Sequence, residues 1–276
     1  MRKRTYPDGP EMVARAGRYP AAMTATLLDI SHGVATITLN HPEARNALSV
    51  ELVDALATTL EHALDDPAVR VVVITNTGNT FCAGADLKAA APGQAQSQAR
   101  SFLDVFDLIL DSPKPVIGRI AGHAVAGGVG LAAACDISVM VDSAQLGFSE
   151  VRIGVSPAVI SVVCLPKMRR SDAMELFLTG ERIPAARAAE VGLVNYAVPA
   201  DQLDAKVDEI VAMVLRGGPN ALAASKSLLR RVPEFTDRQT AFEWAQPFSA
   251  ALFASEEGAE GIAAFRERRD PNWIPA

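Results

Sequence analysis

Residues 69–75 read Val-Arg-Val-Val-Val-Ile-Thr, a nearly continuous β-branched run. Strands with one face in water alternate apolar and polar side chains. An unbroken run instead suits a strand covered on both faces, as in a parallel sheet flanked by helices. The flanking sequence agrees. Residues 34–39 alternate toward a strand, and 115–120 and 136–141 are further strand candidates. A helix is predicted from about Ser49, its N-cap, with Leu52, Leu56, Leu60 and Leu64 along one stripe. Asp65, Asp66 and Pro67 end it. Strands alternating with helical stretches place the chain in the α/β class. From about Asp201 the pattern is nearly all helical, so a core over 24–200 and a C-terminal helical region over 201–276 are expected. Residues 89–100 have loop composition, and a mobile segment beside a site is expected there.

The 276 residues suffice for one large domain, or for one with a smaller unit appended, and 49% of them are apolar. A net charge of −6, from 26 basic and 32 acidic residues, gives no reason to invoke nucleic acid. Cys82, Cys135 and Cys164 are odd in number and fit neither a zinc site nor a disulfide framework. They read as free thiols of a reducing, cytoplasmic setting. His32, His41, His62 and His123 are scattered, so no metal is expected. No apolar run reaches the roughly 18 residues of a membrane span. The basic first residues are followed by Pro7, Asp8, Gly9 and Pro10 rather than an apolar stretch, so residues 1–23 read as a poorly ordered extension and not as a secretory signal.

Two glycine-bearing segments follow strand candidates. One is Phe81-Cys82-Ala83-Gly84-Ala85-Asp86-Leu87; the other runs from Gly122 to Gly130 and contains Gly127-Gly128-Val129-Gly130. Small residues let backbone approach a ligand and leave amides free, and two such amides can converge on a developing oxyanion. Composition alone equally allows tight turns and close helix packing. Residues 128–133 also match G-x-G-x-x-A, the dinucleotide fingerprint, but seven residues separate the strand candidate ending at Ile120 from Gly128, where the fingerprint needs direct succession. Glu150 is the lone carboxylate of a mostly small and apolar stretch. Desolvation there would raise its pKa toward that of a general base. The plainer alternative is a surface carboxylate paired with Arg152.

At these residues the chain resembles the enoyl-CoA hydratase/isomerase family, the crotonases. The likeness rests on five segments in order: LNHPEARNALS (39–49), FCAGADL (81–87), the glycine run closing on Ala134-Cys135-Asp136, FLTGERIPAARAAEVGLV (177–194) and AAFRERRDPNW (263–273). The resemblance implies a spiral of ββα units with a C-terminal helical trimerisation region, hence a homotrimer or homohexamer. It implies an acyl-CoA thioester as substrate, with coenzyme A part of that substrate and no separate cofactor. The two oxyanion amides fall on Ala83 and Gly127. CoA contacts fall on Ala44 and Arg45, on Ala83 through Gly84, Ala85 and Asp86, and on Phe265 and Arg268, the last two often from a neighbouring subunit. Lys226 matches a lysine common in the family and is open to a structural role.

Hydratases of this family use two glutamates. The second falls on Glu150; the first falls on Gly130, which has no side chain and is expected to face the reacting carbons. Glu150 alone suits a double-bond shift, as in the family's isomerases. The stretch 149–161 resembles a branch of hydratases, methylglutaconyl-CoA hydratase-like proteins among them, that shares the glycine. Dienoyl-CoA isomerases carry an additional acid where this chain has Ala158. The implied activity is therefore 2-enoyl-CoA hydration, with 3-enoyl to 2-enoyl isomerisation or non-catalytic acyl-CoA binding as alternatives.

Overall fold

The computed structural model describes residues 25–86 and 100–274. The extension at 1–23 lies outside these residues, as does the loop expected at 89–100 apart from Arg100. Strands β1 (Thr26–Ser31) and β2 (Val34–Leu39) form a hairpin turned by His32 and Gly33, both at positive φ. Helix α1 (Val50–Asp65) begins where Ser49 Oγ accepts the Leu52 amide at 3.2 Å, and Leu52, Leu56 and Leu60 are fully buried. The β-branched run becomes β3 (Val71–Asn76), buried along its whole length and parallel to β2.

The chain then repeats a unit of two strands and a helix. β3 and β4 (Thr80–Cys82) lead to α2 (Phe102–Leu110), and β5 (Val116–Ile120) and β6 (His123–Val125) lead to α3 (Gly127–Ala134). β7 (Ile137–Val141) and β8 (Gln145–Gly147) precede α4 (Ala158–Cys164). In each unit the first strand joins a six-stranded sheet and the second a four-stranded one. Helix α5 (Arg170–Thr179), β9 (Arg182–Pro184), α6 (Ala185–Glu190) and β10 (Tyr196–Val198) close the two edges. The sheet orders are β1-β2-β3-β5-β7-β10 and β4-β6-β8-β9. This is the α/β spiral of ββα units that the sequence resemblance implies.

Beyond residue 200 the chain is helical, as expected: α7 (Leu203–Leu215), α8 (Pro219–Arg231), α9 (Arg238–Phe253) and α10 (Glu256–Glu267). The boundary at 201 is nevertheless too early. Leu203, Val207, Ile210 and Val211 of α7 are buried against β3, β5 and β7, so α7 belongs to the core. The buried guanidinium of Arg119 on β5 explains the fit. It holds Asp204 of α7 at 2.5 Å and Thr75 Oγ1 at 3.1 Å, and an unpaired charge there would be costly. Lys226 is structural. Its ammonium joins α8 to Asp136 at 2.6 Å and to the carbonyls of Ile109 and Lys114, both at 3.2 Å. Arg70, just before β3, reaches the chain's far end, donating to the carbonyls of Trp273 at 2.5 Å and Gly217 at 2.6 Å. Among the described residues no helix is long and apolar enough to cross a membrane.

Candidate active site

The loop joining β2 to α1 is shaped by one buried side chain. Asn46 donates to the carbonyls of Thr80 at 2.8 Å and Thr77 at 3.2 Å, and accepts the His41 amide at 2.7 Å. Arg45 and Asn46 both adopt positive φ, 56° and 50°, a region that asparagine tolerates better than most residues. The loop is thereby laid along the first glycine segment. The Ala83 amide donates to the Arg45 carbonyl at 3.1 Å, and the Leu48 amide to the Gly84 carbonyl at 2.8 Å.

This pairing corrects the sequence expectation for Ala83, whose N–H is consumed within the loop. Two residues on, the amide of Ala85 has no hydrogen-bond partner among the described residues, and Ala85 is exposed. Gly84 lies between them at φ 83°, where a Cβ would meet the Gly127 nitrogen at 3.0 Å and the Ala126 Cβ at 2.8 Å. The two glycine segments therefore touch, and only glycine allows it.

Gly127 opens α3, so its amide has no acceptor within the helix and lies at the positive end of the helix dipole. It is aimed by Ala126, a non-glycine residue at φ 50° and ψ −122°. Such backbone is strained by about 1–3 kcal/mol and persists only where its surroundings hold it. Here the Ala126 amide is anchored on the Gly147 carbonyl at 2.9 Å, and its own carbonyl accepts Val129 at 2.8 Å. Gly128 serves packing: a Cβ would fall 2.1 Å from the Cys82 carbonyl oxygen. That accounts for the fingerprint-like glycines without a dinucleotide.

β8 pairs Gly147 with Val125, so Glu150 comes three residues after the strand that flanks the Gly127 amide. Glu150 sits in a 3-10 turn, Ser149–Ile153. It is not paired with Arg152, which turns away to Glu181 and the Thr179 carbonyl. Its Oε2 is buried with no hydrogen-bond partner among the described residues. Burial raises its pKa, opposed by a hydrogen bond from its own amide. A half-buried carboxylate with a raised pKa and a vacant acceptor fits a general base.

Gly130 departs from expectation. It lies one turn along α3 from Gly127, but the direction a side chain would take is filled. A Cβ there would meet Ile160 Cγ2 at 2.4 Å, Ile160 Cβ at 2.8 Å and Phe106 Cζ at 2.9 Å. Ala44 and Arg45 are exposed beside the Ala83–Asp86 segment, as CoA contacts would need. Phe265 and Arg268 stand apart. Phe265 is 85% exposed, on a groove with Ala221, Leu252, Phe253 and Trp273. Within one chain they do not join the other site residues. The expected FCAGADL segment is described only to Asp86. Sequence reasoning missed Asn46, Ala126, Phe106 and Ile160. Only the asparagine, a turn-forming type in a loop, carried a signal. Among the described residues no group of three or more metal-ligand side chains occurs.

Residues 29–275 match the family described as enoyl-CoA hydratase/isomerase. The Mycobacterium tuberculosis enoyl-CoA hydratase EchA19 is 34% identical over 244 residues, 86% of this chain and 91% of its own. A Mycobacterium smegmatis enoyl-CoA hydratase structure superposes with a TM-score of 0.84 at 33% identity, over 91% of this chain and 99% of that one. Human enoyl-CoA hydratase domain-containing protein 3 gives 0.83 at 28% identity, over 90% and 100%.

Proposed function

The chain belongs to the enoyl-CoA hydratase/isomerase family, and we propose that it hydrates a 2-enoyl-CoA. The thioester oxygen is held between the amides of Ala85 and Gly127. Both donors are fixed before the reaction, so they stabilise the enolate oxyanion without reorganising. Electron withdrawal makes the β-carbon electrophilic. Glu150 takes a proton from water as the new C–O bond forms there, and the π electrons move to the thioester oxygen. Glu150 then returns the proton to the α-carbon and the thioester re-forms. CoA lies along Ala44, Arg45 and the Ala83–Asp86 segment. Phe265 and Arg268 act from a second copy in a homotrimer or homohexamer. No cofactor is required beyond the CoA of the substrate.

The buried Oε2 of Glu150, without a hydrogen-bond partner among the described residues and three residues past the strand that pairs with Val125, carries this reading. One observation favours the isomerase alternative: the space beside Gly130 is apolar, which leaves Glu150 as the carboxylate suited to shuttle one proton. Turnover of crotonyl-CoA and of a matching 3-enoyl-CoA decides between them. Glu150→Gln should lose at least about 10²-fold in whichever rate is native, since glutamine keeps the shape but accepts no proton. Tight binding of both thioesters without turnover would make the protein a binder and overturn the assignment.

A further inference from the structure

We propose that Ile160 is a specificity-determining residue that confines this site to one-carboxylate chemistry, because its side chain fills the volume into which a carboxylate at position 130 would project. This rests on the catalytic reading of Glu150 given above.

Glycine at 130 has two possible meanings. Either an opening faces the substrate, into which an acid can be restored by substitution, or the glycine makes room for a neighbour. The distances decide for the second. The nearest atoms to a Cβ at 130 are Cγ2 and Cβ of Ile160, at 2.4 and 2.8 Å. Neither is the free end of a flexible chain. Ile160 is β-branched, sits within α4 and is 3% exposed, so it cannot swing aside without moving the helix. Phe106 Cζ, at 2.9 Å, closes the other side, and its ring packs on Phe102 with centroids 4.3 Å apart. Phe102 and Leu48 in turn lie 3.5 and 2.7 Å from a Cβ at Gly127. The α3 face bearing Gly127 and Gly130 is thus walled by Leu48, Phe102, Phe106 and Ile160. Glu150 is left to carry the proton in both directions: from water as the C–O bond forms, then to the α-carbon as the enolate collapses.

Position 130 is therefore coupled to position 160, and the coupling can be read from stability as well as rate. The experiment is a double-mutant cycle of Gly130→Glu and Ile160→Gly in the full chain, with Tm and crotonyl-CoA turnover measured for all four proteins. Gly130→Glu alone should lower Tm by several degrees, as overpacking does, and turnover by at least about tenfold, because the helix that carries the Gly127 amide is displaced. The double variant should regain Tm relative to Gly130→Glu. Its turnover should exceed that of Gly130→Glu by about tenfold, a fraction of what a positioned acid supplies. A Gly130→Glu protein with the parent's Tm, or a double variant whose Tm is the sum of the two single effects, would overturn the proposal. If the parent does not turn over crotonyl-CoA, the catalytic reading fails by itself, and the Tm cycle still reports on the packing.

Discussion

A buried carboxylate oxygen without a hydrogen bond is costly to keep ionised, and Glu150 Oε2 has no partner among the described residues. Its folded pKa lies above the ordinary value of 4.5 because of burial. Between the unfolded and folded values the native state binds more protons, so stability falls as pH rises through the folded pKa. Below the unfolded value both states are protonated and the cost is absent. Glu150→Gln should therefore raise Tm at pH 7, with the gain disappearing below about pH 4. Thermal melts at both pH values check this; a gain that ignores pH would contradict it. The two amides of the first glycine segment separate just as cleanly. Ala85→Pro removes a free N–H, and activity should fall by the ~3–4 kcal/mol of a lost oxyanion donor with little change in Tm. Ala83→Pro removes an N–H that holds the Arg45 carbonyl, so it should lower Tm instead. Glu150 stood out in sequence as a lone carboxylate among small and apolar neighbours, but its candidacy as a base came from the family resemblance, since pairing with Arg152 was the plainer reading. The choice between Ala83 and Ala85 was not, because it depends on which amide the distant loop at 45–48 takes.

Elements differ in the same way. α1 and β3 are long enough for periodicity and β-branching to mark them, and Ser49 caps α1 as its type suggests. The second sheet is built from strands of three residues each, too short to show any period, and it escaped notice. Yet it is this sheet that sets Gly147, three residues before Glu150, against Val125, two residues before Gly127. The loop between β2 and α1 owes its shape to one side chain, a dependence that no periodicity reveals. Asn46→Ala would leave the Thr80 and Thr77 carbonyls and the His41 amide without their side-chain partner. Unsatisfied buried groups cost about 1–3 kcal/mol, and denaturant unfolding should show a loss of that order. The Ala85 amide should be displaced along with the loop, so turnover should fall further than stability does. Equal activity in the folded variant would detach the loop from the site.

At the scale of the whole molecule, two helices carry apolar residues outward. Val159, Val162 and Leu165 succeed one another at intervals of three along α4 and the turn after it, and Met174 and Leu178 lie four apart on α5. In the proposed trimer or hexamer such stripes are covered by another copy. Val162→Asp, at a position 71% exposed in the single chain, should then shift sedimentation toward smaller species. An unchanged sedimentation coefficient would exclude α4 from the contact. Burial at this scale was only partly legible: the α7 residues look like the tail by pattern, but Val207 and Ile210 are core by position.

The clasp made by Arg70 ties together parts of the sequence that are far apart. Its guanidinium and the Trp273 carbonyl are 203 residues apart in sequence. The same guanidinium holds the Gly217 carbonyl. One side chain beside β3 thus secures both the junction of α7 with α8 and the segment that follows α10, so its removal would release the two together rather than either one alone.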